Sequence, residues 1–320
     1  MPVPKSLAKS ACQKNIRRGR VEQAVRCAKA CIDADPLDFS RRVMVLAPEE
    51  VSIHPLMVDV VDINARLSHK GEQATDNDYD IMLTIVRDIA MAKKRDTWEY
   101  DRTLKFDFET TTKQIDRLAW WQRSILHALE YRGSIGGLKG DVLMFKNMVP
   151  YLIEKFIRHQ GYTYEIFYEN LADPLVNHHE VGRLRVDDIP YFAVDIHSFP
   201  PIVKMCLRKA YWEYGEKKYR PTEMMDYAKS VCGLVKAFLP VGNGTYTEET
   251  FPEELVRRTI WSCVAGRNDK VDYKTGKPLD LLEWEEMPDE DKKIIRDGLA
   301  ILTPIWESAA DWYIKKKFEE

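Results

Sequence analysis

The stretch VEQAVRCAKACIDADP, residues 21–36, decides the fold class. Val21, Ala24, Val25, Ala28 and Ile32 recur at i, i+3, i+4, i+7 and i+11, the spacing of one buried stripe on an α-helix. Asp35-Pro36 closes the stripe, because a proline ring disfavours helical backbone in the residue before it. The same period continues on the C-terminal side. A helix from about Asp38 turns Phe39, Val43 and Leu46 inward and stops near Pro48, and Pro55 opens another through Leu56, Val60 and Ile63 or Leu67. Thr75 and Asp78 have the spacing of a capping box, ahead of Tyr79, Met82, Ile85 or Val86, and Ile89. With the basic segment before Val21, these helices predict a compact helical unit over residues 1–100.

Residues 101–320 read as a second helical domain of unknown function. Ile115, Leu118, Ala119, Ile125, Leu126 and Leu129 mark a long helix that ends at Tyr131-Arg132-Gly133. The glycine-rich joint GSIGGLKGD follows, then a helix over about 141–159. Residues 170–200 carry four prolines and the run YFAVDIHSF, which predicts one small irregular or β segment near 185–200. Further helices are expected over about 222–239, 250–265 and 289–317, with VGNGT (241–245) and DYKTGKP (272–278) as turns. The fold class expected is mainly α: a multi-helix bundle with one small β element.

Composition narrows the function classes. The chain has 320 residues, 31% of them charged, and a net charge of −3, so any attraction to nucleic acid must come from a local patch. No run approaches the roughly 20 apolar residues of a membrane-spanning helix. The six cysteines form no C-x-x-C pair, and Cys27 and Cys31 share one helical face as small hydrophobes do. That usage fits a reducing compartment, cytoplasm or nucleus, and the first 31 residues, with eight Lys or Arg and the single acid Glu22, carry organelle import as an alternative.

Asn15-Ile16-Arg17-Arg18-Gly19 ends the first helix, and small residues fill the next from Glu22 to Ala34. Asp35-Pro36-Leu37, the paired Arg41 and Arg42, and Glu49-Glu50-Val51 follow, with a weaker continuation in RDIAMAKKRD (87–96). In this spacing, residues 9–55 resemble the C-terminal helical region of the RarA/MgsA family, clamp-loader-related ATPases that act at stalled replication forks. The ATPase module itself has no counterpart: in GSIGGLKGD, Leu138 separates Gly137 from Lys139, and Gly140 stands where a phosphate-binding loop needs Ser or Thr. The resemblance therefore implies the oligomerising, partner-facing helical portion without a motor. The expected role is a non-enzymatic accessory or scaffold in DNA replication, recombination or repair. Its partners would be further copies of the chain, DNA, or replication and recombination proteins, with no membrane. Arg17, Arg18, Arg20, Arg41 and Arg42 are the expected DNA-contacting residues, since arginine pairs bidentately with phosphate. Such contacts would give salt-sensitive binding without sequence readout.

Two groups of carboxylates and histidines raise enzymatic alternatives. In KFDFETTT (105–112), Asp107 and Glu109 resemble the first acidic motif of the DEDD exonucleases, but a helix follows at once where that motif needs strands. Thr110, Thr111 or Thr112 reads better as its N-cap. The other group comprises Asn177-His178-His179-Glu180, Asp187-Asp188 and Asp195-Ile196-His197. Folded back on itself, it would suit a metal-dependent hydrolase centred on His178, His179, Asp195 and His197. The plainer reading is a loop-rich surface with one buried, hydrogen-bonded histidine. On the leading reading no catalytic residue, metal ligand or cofactor is assigned. A structural subunit of a large assembly is a third alternative.

Overall fold

In the computed structural model, the described residues are 3–69, 72–97, 115–159, 161–194 and 267–280, with 307, 310–311, 314–315 and 317–318. The fold is mainly α. The described residues form helices α1 (Lys5–Arg17), α2 (Val21–Ala34), α3 (Pro36–Glu50), α4 (Met57–Leu67), α5 (Asp76–Met91), α6 (Trp120–Ser134) and α7 (Lys139–Arg158). A three-stranded sheet adds β1 (Lys94–Arg95), β2 (Arg267–Asp272) and β3 (Pro278–Asp280), in the order β1-β2-β3.

Local chemistry explains most boundaries. Asp35 caps α3 by accepting from the Asp38 amide at 2.9 Å, so the helix begins at Pro36, two residues before the expected start. It runs through Pro48 to Glu50, because a proline in the last turn removes one backbone hydrogen bond without stopping the chain. Thr75 and Asp78 form the expected capping box: the Thr75 hydroxyl accepts from the Asp78 amide at 3.3 Å and the Asp78 carboxylate accepts from the Thr75 amide at 2.9 Å. The long helix expected from Ile115 is divided. A turn spans Ile115–Leu118, and α6 proper begins at Trp120. Gly136 and Gly137 form the joint before α7 with φ of +78° and +127°. A Cβ on Gly137 would also lie 3.3 Å from the Arg132 guanidinium.

The chain divides into two compact units, and the division differs from the expected 1–100 and 101–320. The larger holds residues 15–184 and 269–278; the other holds 1–14, 185–268 and 279–320. In the larger unit α2 packs on α3 and α5, α3 on α4 and α5, and α6 on α3, α4 and α7. The helices on either side of residue 100 therefore share one core. Phe39, Met44, Leu46, Met57, Ile63, Met82 and Phe145 are fully buried in it. Arg132, itself buried, ties the end of α6 to α3 by donating to the Arg41 carbonyl at 2.9 Å and to the Gly136 carbonyl at 2.7 Å.

The small sheet is formed by residues 94–95, 267–272 and 278–280, and the described part of the segment expected to be irregular or β, residues 185–194, is irregular. Residues 186–188 and 191–193 are single 3₁₀ turns, and Phe192, Ala193 and Val194 are consecutively buried, which an alternating strand would not allow. In the smaller unit Ser10 donates to the Ala193 carbonyl at 2.6 Å. In the larger unit β1 pairs in parallel with β2, Lys94 opposite Val271 and Arg95 opposite Asp272. The segment read as a turn, DYKTGKP, leads from β2 to β3. The Asp272 carboxylate accepts from the amides of Lys274 and Thr275, and Gly276 adopts φ +67°. The run from Asp195 to His197, KFDFETTT, and the helices expected over 222–239 and 250–265 lie outside the described residues. Of the helix expected over 289–317, the described residues from Glu307 onward are helical.

Candidate metal centre

One face of α5 carries Asp76, Asp80, Thr84 and Arg87, spaced at i, i+4, i+8 and i+11. Residues 174–179 run along that face in the opposite direction. Arg87 Nη1 donates to the Pro174 carbonyl at 2.7 Å, the Val176 amide donates to Thr84 Oγ1 at 2.8 Å, and the His178 amide donates to Asp80 Oδ1 at 2.9 Å. This polar strap delivers two histidines to the first turn of α5.

The same Asp80 oxygen lies 2.7 Å from His178 Nδ1. A carboxylate only accepts, so Nδ1 carries a proton, and the tautomer with no proton on Nε2 would present a lone pair on the other side of the ring. His178 Nε2 lies 3.5 Å from Asp76 Oδ1, and His179 Nε2 lies 3.6 Å from Asp76 Oδ2. The donor atoms of Asp76, His178 and His179 all lie within 4.8 Å of one another. Atoms gathered this closely would be held by a shared cation or by N–H donation from the imidazoles to Asp76. Two imidazoles and a carboxylate suit zinc and its neighbours rather than magnesium. A tetrahedral zinc shell with ~2.0–2.1 Å bonds separates its ligands by about 3.3 Å, while the two histidines meet different oxygens of Asp76, at 3.5 and 3.6 Å. Asp80 behind His178 supplies the carboxylate that commonly orients a ligating imidazole.

Exposure is uneven. His178 is buried, whereas the side chains of Asp76 and His179 are 79% and 70% exposed. His178 is thus the buried, hydrogen-bonded loop histidine of the plainer sequence reading, and it also stands in a cluster. Of the residues grouped with it in the sequence, Asp187 and Asp188 belong to the smaller unit, and Asp188 caps its own turn by accepting from the Arg185 amide at 2.8 Å. Glu180 bonds to Asn177 at 3.0 Å. Asp76 and Asp80 were missed, about a hundred residues upstream. The legible signal was their i, i+4 spacing just inside a capping box.

The expected DNA-contacting arginines are placed differently from one another. Arg17 is drawn into a buried pair, its Nε 3.0 and 2.8 Å from the Glu50 carboxylate oxygens. Burial alone would lower its pKa, but Glu50 and then Glu49 more than reverse that and hold it raised. Arg42 reaches the same Glu49 at 3.6 Å. Arg18 and Arg20 are half-buried, and Arg41 is exposed.

A second buried polar group joins distant parts of the larger unit. The Asp96 carboxylate accepts from the hydroxyls of Tyr151 at 2.7 Å and Tyr162 at 2.5 Å, and Tyr162 also meets Ser52 Oγ at 3.1 Å. Burial pushes the Asp96 pKa up, partly offset by the two phenols, and pushes both tyrosines up as well. Lys270 is buried too, donating to the carbonyls of Ile16 and Ala92 at 3.1 and 2.9 Å. Burial lowers its pKa to about 8, against the pull of Glu50.

No family model, curated protein or solved structure matches this chain. The reading of its function therefore rests on these geometries and on the resemblance at its N-terminus.

Proposed function

We propose that this protein is a metal-binding accessory or scaffold rather than a catalyst. The observation that carries the reading is the convergence of Asp76, His178 and His179, with Asp80 behind His178. The exposure of Asp76 and His179 favours binding over turnover. Metal-assisted hydrolysis relies on a dry, shaped cavity to orient the substrate and activate water, and two of these three ligands face solvent. Isothermal titration of the full, untagged chain with zinc, beside the His178→Ala variant, tests this. One equivalent bound by the wild type and lost in the variant supports it; identical titrations overturn it.

The resemblance to the RarA/MgsA helical region carries a second reading, in which the same scaffold works at DNA. Its support in the structure is the helical packing of α2 to α5 and the exposed Arg41. Pairing of Arg17 and Arg42 with Glu49 and Glu50 leaves fewer cations for phosphate. Fluorescence anisotropy with single-stranded, duplex and forked DNA, at two salt concentrations, measures it. Binding that weakens steeply with salt and falls in Arg41→Ala supports the reading, and no binding removes it. A gel of the same samples with zinc, magnesium or manganese examines the hydrolase alternative: cleavage lost in His178→Ala would displace the scaffold reading.

A further inference from the structure

Resting on the metal-binding reading, we infer that a zinc-class ion at Asp76, His178 and His179 works as a latch that fastens the 174–179 strap to α5. The strap's attachment is mainly polar, with the His178 ring also 5.1 Å from that of Tyr79 on α5. Pro174, Leu175, Asn177 and His179 are exposed, Val176 is half-buried, and only His178 is buried. Its bonds to Arg87, Thr84 and Asp80 form a single row along one helix face. A segment held this way, with few apolar contacts, belongs to the part of a structure that opens locally at little cost.

The ligands divide between the two sides of that contact. Asp76 belongs to α5 and is fixed by the cap at Thr75, whereas His178 and His179 belong to the strap. An ion held by all three therefore exists only when the strap is closed. The end of the row nearest the N-terminus of α5 is where the ion sits. A helix N-terminus repels cations, and here Asp76 and Asp80 in the first turns supply the opposing negative charge, Asp78 being paired with Arg66. His178 needs no rearrangement to ligate, because Asp80 already fixes its tautomer and ring plane. The chemistry selects the ion: two imidazole nitrogens favour zinc, cobalt or nickel over magnesium and calcium.

Linkage makes the inference quantitative. If only the closed strap binds the ion, the opening equilibrium falls by the factor one plus the ratio of free ion to dissociation constant. Hydrogen exchange of the Val176 and His178 amides, measured on the full chain, reads that factor directly, since both are hydrogen-bonded to α5 only when the strap is closed. At free zinc ten times the dissociation constant found by titration, exchange at both amides should slow about tenfold. His179→Ala removes one ligand while leaving the bonds to Arg87, Thr84 and Asp80 in place, and should abolish the zinc-dependent slowing, read against the variant's own zinc-free exchange. Magnesium at the same concentration should do nothing. Zinc that binds with unchanged exchange at 176 and 178 overturns the latch and leaves the metal reading standing. Zinc that fails to bind overturns both, and equal protection in His179→Ala places the ion elsewhere and also overturns the latch.

Discussion

Lys270 is the residue at which burial and charge conflict most openly. Its ammonium sits among Glu50, Arg95 and Asp269 and donates to two backbone carbonyls. Because its folded pKa of about 8 lies below the ordinary 10.5, the folded state binds fewer protons than the unfolded state between those values. Stability therefore rises with pH across that window, by an amount on the order of 3 kcal/mol in total. Below pH 8 the full cost of burying the charge is present. Urea titrations from pH 7.5 to 10.5 should show this slope in the wild type and lose it in Lys270→Met. The Met variant should also be weaker by about 1–3 kcal/mol at alkaline pH, where the carbonyls of Ile16 and Ala92 have lost their donor. Glu50 presents the converse case. Its carboxylate is fully buried against Arg17, so Glu50→Gln leaves the guanidinium only the more exposed Glu49, at 3.5 Å, as counter-charge and should cost about 3 kcal/mol in the same titration.

At the scale of elements, the start of α5 joins stability to the candidate site. Thr75→Ala removes the cap from the Asp78 amide, and such losses cost about 1 kcal/mol. Asp76 is the first residue of the helix that Thr75 caps, so the same substitution should weaken zinc binding, measured by titration beside the thermal melt. A stability loss with unchanged zinc affinity would show that Asp76 is positioned independently of the cap. The capping box was legible because it is a local pattern of residue types. The strap was not legible, because its three polar bonds join positions 87, 84 and 80 to 174, 176 and 178. No sequence period relates those two runs.

For the whole molecule, the Asp96 group is the clearest test of long-range design. Tyr151 comes from α7, Tyr162 from the loop after it, and Asp96 from the residue after β1. Tyr162→Phe or Tyr151→Phe alone leaves Asp96 one phenol donor, whereas the double variant removes both. The double variant should therefore lose more stability than the sum of the singles, with a coupling of about 0.5–3 kcal/mol by chemical denaturation. Additive losses would mean that the two hydroxyls act separately. Lowering the pH should recover part of the stability in every variant that keeps Asp96. Its folded pKa is raised above the unfolded value, so protonation favours the folded state as pH falls through that folded pKa.

The sequence alone determined the helical character of the protein, the inward stripes of α2 to α5, the Thr75 cap and the turn at 272–278. Each of these is a matter of neighbours within a few residues, where backbone preference and hydrophobic period act. Tertiary structure decided the rest. It placed helices from both sides of residue 100 in one core, set the small sheet by pairing Lys94 with Val271, and turned 186–188 and 191–193 into single turns. It also gave Arg17 to Glu50 and matched His178 and His179 to Asp76 rather than to nearer carboxylates. The physical reason is the same throughout: a side chain's charge and donors are local properties, but its partner is whichever group packing brings within hydrogen-bond distance.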